Sequence, residues 1–215
     1  MLTPDLPTLI SRVITLVIAF TVHEFSHAWT ADQQGDPTAR RQGRLTLNPL
    51  AHLDLLGSLL LLVAGFGWAK PVPFNPYNLR SGPRTGTAIV AAAGPFSNLV
   101  LALLAAIPFR LGVVNQFSLG AAGRFLPTLP DFLFTFIFIN LILLFFNLIP
   151  LPPLDGHKIA TGLLPDPLAG FFERLTPYGP MLLLLLLFVG PLVRLDPVRL
   201  LVLPPTQLLL TLLIG

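Results

Sequence analysis

Two long apolar runs without a charged residue constrain this chain more than any other feature. They are Thr85–Phe109 and Phe132–Leu154, and each exceeds the roughly 20 apolar residues that a helix needs to cross a bilayer. Charged residues make up 11% of the chain, whereas ordinary soluble domains carry about 25%. Because such a chain cannot hide its apolar surface in a soluble core, we expect an integral membrane protein.

The other apolar segments are less uniform. The stretch from about Leu6 to Ala31 qualifies as a first span if Glu24 within it has a partner. Leu55–Ala69 is short and rich in glycine, which favours a re-entrant or interfacial hairpin over a crossing. Two further candidates near the C-terminus are Leu175–Val193 and Leu200–Gly215, and the sequence leaves open whether both cross.

These segments predict an all-α polytopic membrane protein with four to six transmembrane helices. A re-entrant or interfacial β-like hairpin is expected between the first two long spans, which are the N-terminal span from about Leu6 to Ala31 and the span Thr85–Phe109. No repeat or linker divides the chain, so we expect one membrane domain over residues 1–215, with its core at 1–163 and C-terminal hydrophobic helices at 175–215. The lipid bilayer is therefore the first partner.

The positive charges predict the orientation. Most basic residues outside the C-terminal region lie between the first two long spans, at Arg40, Arg41, Arg44, Lys70, Arg80 and Arg84. This loop should be cytoplasmic, and the N-terminus should then lie outside. The C-terminal end of the first span, which carries the candidate active site, is expected toward the cytoplasmic side of the cell membrane. Since the net charge of +3 is explained by topology, we do not expect nucleic acid binding.

The first span carries the motif His23-Glu24-Phe25-Ser26-His27. On a helix, residues at i and i+4 share one face, where two imidazoles can bind one zinc ion while the adjacent glutamate acts as a general base on water. The chain has no cysteine, so histidine and carboxylate are the available ligands for a tightly held metal. This pattern predicts the chemistry of a zinc endopeptidase.

Two other interpretations of the motif stay open. A chance match would place a glutamate between two histidines inside a span, which costs about 2.5 kcal/mol or more without a partner. A membrane zinc-binding or zinc-transport protein without peptidase activity would also bury such groups. That alternative does not explain why Glu24 directly follows a ligand.

Asp155 is the best candidate for the third ligand. It follows Pro150, Pro152 and Pro153, which end the third long helix and leave carbonyl groups that must line a polar cavity or be buried in protein. If Leu55–Ala69 does not cross, the first and third long spans run in the same direction, and Asp155 reaches the depth of the histidines. The alternatives are that Asp155 caps a turn, or that Glu173 supplies the third ligand.

Five separated blocks resemble the site-2 protease family of intramembrane zinc metalloproteases, in its compact prokaryotic members without PDZ or CBS domains. The blocks are His23–Ala28, Gly43–Pro49, Gly67–Pro73, Ala93–Asn98 and Asn147–Gly156. The resemblance covers most of the chain up to about Leu163. It implies one Zn²⁺ per chain, held by His23, His27 and Asp155, and a catalytic base at Glu24.

The resemblance also implies a substrate, namely a transmembrane protein cleaved within or near an unwound membrane segment. Trp68–Asn75 contains alternating prolines, which suit an edge strand beside which such a substrate could pair. A merely irregular interfacial loop is the alternative. Substrate selection would fall to the membrane core or to a regulatory membrane partner.

Several polar residues near this site have less certain roles. Asn140 and Asn147 lie on one helix face and could donate hydrogen bonds to the substrate or to the developing oxyanion. Asn147 resembles the family's functional asparagine, whereas Asn140 and Asn98 could equally join neighbouring helices. We expect His157 to be interfacial rather than a fourth ligand, and His52 to be structural or at the entry of the site.

Overall fold

The computed structural model describes residues 5–54, 57, 68–115, 119–120, 125–189, 192 and 196–215. The α-helices in these ranges are α1 (Leu6–Gln33), α2 (Thr38–Arg41), α3 (Pro83–Arg110), α4 (Leu129–Asn147), α5 (Asp155–Leu163), α6 (Asp166–Leu175), α7 (Gly179–Leu184) and α8 (Pro197–Ile214). Short 3₁₀ turns lie at Pro49–Ala51, Pro76–Asn78 and Thr176–Tyr178, and a π-helical stretch, Leu185–Val189, continues α7. The described part of the chain is thus mostly helical, as the composition predicts.

Within the described ranges, four helical segments are long and apolar enough to cross a membrane. They are Leu6–Gln33, Pro83–Arg110, Leu129–Asn147 and Asp166–Val189. The first three agree with the predicted spans, and the fourth begins earlier than the expected Leu175. A shorter apolar helix, Arg199–Ile214, follows. The number of long apolar helices lies at the lower end of the predicted four to six.

The predicted hairpin is not confirmed. Most of Leu55–Ala69 lies outside the described residues. At its ends, Leu53 and Ala69 form an isolated antiparallel bridge, and the Lys70 N–H donates to the His52 carbonyl at 2.7 Å. Among the described residues, β-type pairing is limited to this bridge.

Local sequence explains where the helices of the core begin and end. The carboxylate of Asp5 accepts the Thr8 N–H at 3.0 Å and caps α1. Thr128 caps α4 in the same way, and Asp131 in the first turn complements the helix dipole. Because proline cannot continue a helix, α4 ends at Asn147 ahead of Pro150.

Helix α3 lies at the centre of the bundle and contacts α1, α4 and α5. Its buried face is made mostly of glycine, alanine and small polar residues, which let neighbouring helices approach closely. Farther along, α3 and α4 share an apolar cluster formed by Ala102, Ala106, Phe109, Ile137, Leu141 and Leu144. The close approach at Gly94 lies in the N-terminal half of α3, on the side of the histidines of α1.

Candidate active site

Three ligand-type side chains converge between α1 and α5. His23 and His27 lie one turn apart on α1, and Asp155 is the first residue of α5. Asp155 Oδ2 is 3.0 Å from His23 Nε2 and 3.1 Å from His27 Nε2. The three residues are 6%, 7% and 6% exposed, and their ligand atoms lie within 4.8 Å of one another. Asp155 thus lies beside both histidines, as the sequence predicts for a hairpin at Leu55–Ala69 that does not cross.

The donor set fits a catalytic zinc ion. In a tetrahedral site with zinc bonds near 2.05 Å, ligand atoms lie about 3.3 Å apart, close to the two His–Asp distances. Two imidazoles and one carboxylate leave a fourth position for water or substrate. Gly94 on α3 makes the room, because a Cβ there would come within 2.4 Å of Nε2 of both His23 and His27.

The orientation of His27 directs its Nε2 toward Asp155 and leaves Nδ1 to the backbone of α3. Its Nδ1 lies 2.7 Å from the Val90 carbonyl oxygen. Because a carbonyl can only accept, Nδ1 carries the proton in the neutral ring and Nε2 presents a lone pair to the Asp155 carboxylate. Lone pairs that face each other at 3.1 Å repel unless a proton or a metal ion lies between them. Outer partners of this kind orient metal-bound histidines in many proteins.

Glu24 lies beside the ligands but outside their group. It is half-buried, and its Oε2 accepts a hydrogen bond from the Val72 N–H at 3.2 Å. Val72 belongs to the segment Trp68–Asn75, which carries no helix in the structure. The carboxylate is therefore placed between the histidines and the segment that the sequence predicts to pair with substrate.

Arg44 holds one end of this segment. Its guanidinium donates to the Lys70 carbonyl at 2.5 Å and to the Pro71 carbonyl at 3.1 Å. Burial lowers the pKa of Arg44, while the negative charge of Glu24 opposes that shift. The sequence assigned Arg44 only a topological role, and its place in the block Gly43–Pro49 was the one signal that could have indicated more.

Asp36 holds the other end of the segment. This fully buried carboxylate accepts the Asn75 N–H at 2.7 Å and the Asn78 side-chain amide at 2.9 Å. Burial opposes its ionisation, but hydrogen bonds from Thr38, Asn78 and Asn75 together hold the pKa of Asp36 below its ordinary value. The sequence does not mark this residue, since nothing local distinguishes an aspartate that binds a segment so far along the chain.

The two asparagines proposed to contact substrate are placed differently. Asn140 is fully buried, and its amide nitrogen donates to the Phe136 carbonyl at 2.8 Å. Asn147 is half-buried, and its amide nitrogen donates to the Leu143 carbonyl at 3.0 Å. The substrate roles of both stay predictions, and the burial of Asn140 favours the contact between helices that the sequence left open.

The remaining candidates lie outside the ligand group found among the described residues. His52 is buried and its Nε2 donates to the Thr46 carbonyl. His157 is buried between α5 and α6, where its Nε2 donates to the Phe172 carbonyl. Glu173 is exposed on α6. The structure thus favours Asp155 over Glu173 as the third ligand.

Comparison with known proteins identifies the family. The family model described as peptidase family M50 matches residues 112–187. The protein named "Putative zinc metalloprotease YwhC" from Bacillus subtilis is 44% identical over 180 residues, which cover 84% of this chain and 80% of that protein. The chain belongs to peptidase family M50.

Two other relatives of this M50 peptidase carry the same description under the name Rip2. The Mycolicibacterium smegmatis protein is 35% identical over 156 residues, which cover 67% of this chain and 56% of that protein. The Mycobacterium tuberculosis protein is 34% identical over 148 residues, covering 66% and 52%. No solved structure matches the chain.

Family membership confirms the activity that the motifs predict. This M50 peptidase is a zinc metallopeptidase of the site-2 protease type. Together with its four long apolar helices, membership also makes it a multi-pass protein of a lipid bilayer.

Proposed function

We propose that this M50 peptidase hydrolyses a peptide bond within or near a transmembrane segment of another membrane protein, using one zinc ion held by His23, His27 and Asp155. The observation that carries the proposal is the convergence of these ligand atoms within 4.8 Å, buried and anchored partly on a helix long and apolar enough to span a membrane. Ionisable groups in such a position are costly unless they are paired or bind a metal.

The roles of the individual residues follow from their positions. A zinc ion held there supplies Lewis acidity, which lowers the pKa of water and polarises a peptide carbonyl. Glu24 removes a proton from the attacking water and passes it to the leaving amine nitrogen as the peptide bond breaks. Asn147 is assigned to the developing oxyanion, for which its amide would turn away from the Leu143 carbonyl.

The segment Trp68–Asn75 is assigned to substrate binding. A substrate helix has to unwind to expose a peptide bond, and its freed N–H and carbonyl groups then need new partners. Arg44 and Asp36 hold the two ends of the segment by its backbone, so that it presents an edge already ordered before the substrate arrives. Pairing along this edge would place the substrate next to Glu24.

We further propose that the site faces the cytoplasm and that the N-terminus lies outside. The basic residues between α1 and α3 lie at the same ends of these helices as the metal ligands. An excess of lysine and arginine marks cytoplasmic loops. A cysteine-labelling experiment on the natively cysteine-free chain would test this, since a cysteine placed at Arg41 should be accessible only from the cytoplasmic side.

Glu24→Gln tests the mechanism, with Glu173→Gln on exposed α6 as the matched control. Purified wild type should cleave members of a panel of single-span membrane proteins and retain about one zinc ion. Glu24→Gln should keep the metal but lose about 10²–10⁴-fold in kcat, the usual contribution of a general base. Glu173→Gln should match the wild type in both measurements.

Two results would overturn the proposal. Undiminished cleavage by Glu24→Gln would remove the general base from the mechanism. Zinc uptake into liposomes by a protein that cleaves no member of the panel would favour the transport alternative.

A further inference from the structure

A chain of buried hydrogen bonds runs from His23 through three helices. His23 Nδ1 on α1 lies 2.6 Å from Asn98 Oδ1 on α3. The Asn98 amide nitrogen lies 3.0 Å from Asn140 Oδ1 on α4, and the Asn140 amide nitrogen lies 2.8 Å from the Phe136 carbonyl oxygen. Both asparagines are 0% exposed.

The last member of this chain sets the direction of every bond. The Phe136 carbonyl can only accept, so the amide nitrogen of Asn140 must donate to it. Asn140 then turns its oxygen toward Asn98, which donates in its turn and faces His23 with its own oxygen. His23 Nδ1 therefore has to be the donor, and its Nε2 is left with a free lone pair in the neutral ring.

We propose that Asn98 and Asn140 are positioning residues that fix His23 in the tautomer able to bind the metal through Nε2. Asn98 touches His23 directly, and Asn140 keeps the Asn98 amide from turning over. A reversed Asn98 amide would donate to Nδ1, and the ring proton would move to Nε2 and block it. The inference rests on the ligand set of the proposed function.

The different partners of the two histidines explain why His23 needs two asparagines whereas His27 needs none. His27 donates to the backbone carbonyl of Val90, and a carbonyl oxygen can only accept a hydrogen bond. His23 faces a side-chain amide, which offers either an acceptor or a donor according to its rotation. Asn140 removes this ambiguity by connecting the amide to a second backbone carbonyl on α4.

The first test reads the tautomer in the metal-free protein. With ¹⁵N-labelled histidine, and His23→Gln to assign the signal, the wild-type His23 ring should show a protonated Nδ1, with or without a second proton between Nε2 and the Asp155 carboxylate 3.0 Å away. An unprotonated Nδ1 in the wild type would overturn the proposal without reference to any variant. Because no metal is needed, the result does not depend on enzymatic activity.

The second test uses three variants and a control, with zinc affinity measured by competition against a chelator. Asn98→Leu should lower the affinity about 10–100-fold, the usual effect of removing an outer partner of a ligand. Asn98→Asp keeps an acceptor for Nδ1 but sets a carboxylate oxygen against Asn140 Oδ1, so it should restore part of that loss. Asn140→Leu should lower the affinity less than Asn98→Leu while producing a mixture of His23 tautomers.

Thr15→Val is the control for a general disturbance of buried packing. Thr15 is also fully buried on α1, but its hydroxyl has no hydrogen-bond partner in the part of the chain that the structure describes. This variant should leave the zinc affinity and the His23 tautomer unchanged. An equal loss of affinity in Thr15→Val and Asn98→Leu would show an effect of packing and overturn the proposal.

Failure of this inference differs from failure of the proposed function. If wild type binds zinc but Asn98→Leu keeps both the affinity and the tautomer, the positioning role is wrong and the ligand set stands. If His23→Gln binds zinc as tightly as wild type, the ligand set is wrong and the positioning role falls with it.

Discussion

The helices that build the site and the C-terminal helices are both apolar enough for a membrane, yet they are used in opposite ways. In the most apolar stretch of α3, 44% of the residues are buried within the protein, whereas in the most apolar stretch of Asp166–Val189 the fraction is 11%. The buried residues of α3 are mostly small or polar. Those of α6 and α7 are few: Ala169, Gly179 and Leu183.

This difference shows that overall hydropathy and position in a bundle are separate properties. Helices α1, α3 and α4 bury their histidine, asparagine and glycine positions against one another, where polar groups find partners. Asp166–Val189 turns most of its side chains away from the rest of the protein. Equal chemical changes in the two regions should therefore have unequal effects, and three matched pairs test this.

The largest difference is expected for carboxylates. Asp155→Ala removes a proposed ligand and should lower zinc affinity by more than about 100-fold, which is the largest loss usual for removing a residue that only hydrogen-bonds to a ligand. Glu173→Ala, on exposed α6, should leave zinc affinity unchanged. Chelator competition on both purified variants measures the effect. Zinc loss in Glu173→Ala with retention in Asp155→Ala would reverse the assignment of the third ligand.

Glycines give the second pair. Gly94→Ala places a Cβ within 2.4 Å of both imidazole nitrogens and should cost about 1–3 kcal/mol in unfolding free energy as well as weaken zinc binding. At Gly170 on α6 a Cβ meets nothing within 4 Å, so Gly170→Ala should stabilise the helix by about 0.5–1 kcal/mol. Unfolding in detergent and zinc affinity report both effects. A neutral Gly94→Ala would contradict the close approach of α3.

Aspartates give the smallest effect. Asp36→Asn replaces an acceptor by an amide that cannot accept from both of its neighbours, and should cost about 1–2 kcal/mol at pH 7. Asp166→Asn affects a carboxylate that is 88% exposed and paired with Arg84, and should cost less than about 1 kcal/mol. Thermal unfolding of both variants beside the wild type gives the comparison.

The Asp36 effect should also depend on pH. Because its pKa is lowered in the folded protein, its contribution to stability is present above the unfolded value of about 3.9 and is lost as the pH falls through the folded value. The stability difference between wild type and Asp36→Asn should therefore shrink below about pH 4. A difference that stays constant down to pH 3 would show that the charge of Asp36 does not contribute.

The sequence was most informative where the chemistry is local. His23 and His27 are one helical turn apart, so their shared face follows from helix geometry alone. Asp155 could be predicted as a ligand because three prolines precede it and, if Leu55–Ala69 does not cross, the first and third spans end at the same depth. The second and third spans followed from the length of the uncharged runs, and the first from its apolar residues on either side of Glu24.

What the sequence could not supply are contacts between distant elements. The direction of the bond between His23 and Asn98 depends on a carbonyl of α4, and the approach of Gly94 depends on how α3 packs against α1. Asp36 and Asn75 are far apart in the chain, and no periodicity connects them. Such details require the packing itself, because apolar patterning leaves helix rotation and spacing undetermined.

The hydrogen bond from the Val72 N–H to Glu24 bears on how inhibitors of this peptidase should be ranked. A compound that binds Glu24 in the place of the Val72 N–H, at Oε2, competes with a main-chain donor that the protein already provides. The measured affinity of such a compound then falls below the strength of its own contact by the cost of breaking that hydrogen bond. Compounds that differ only in the group facing Glu24 will accordingly rank by how well they replace a peptide N–H, so peptide-like donors are the scaffolds to compare first.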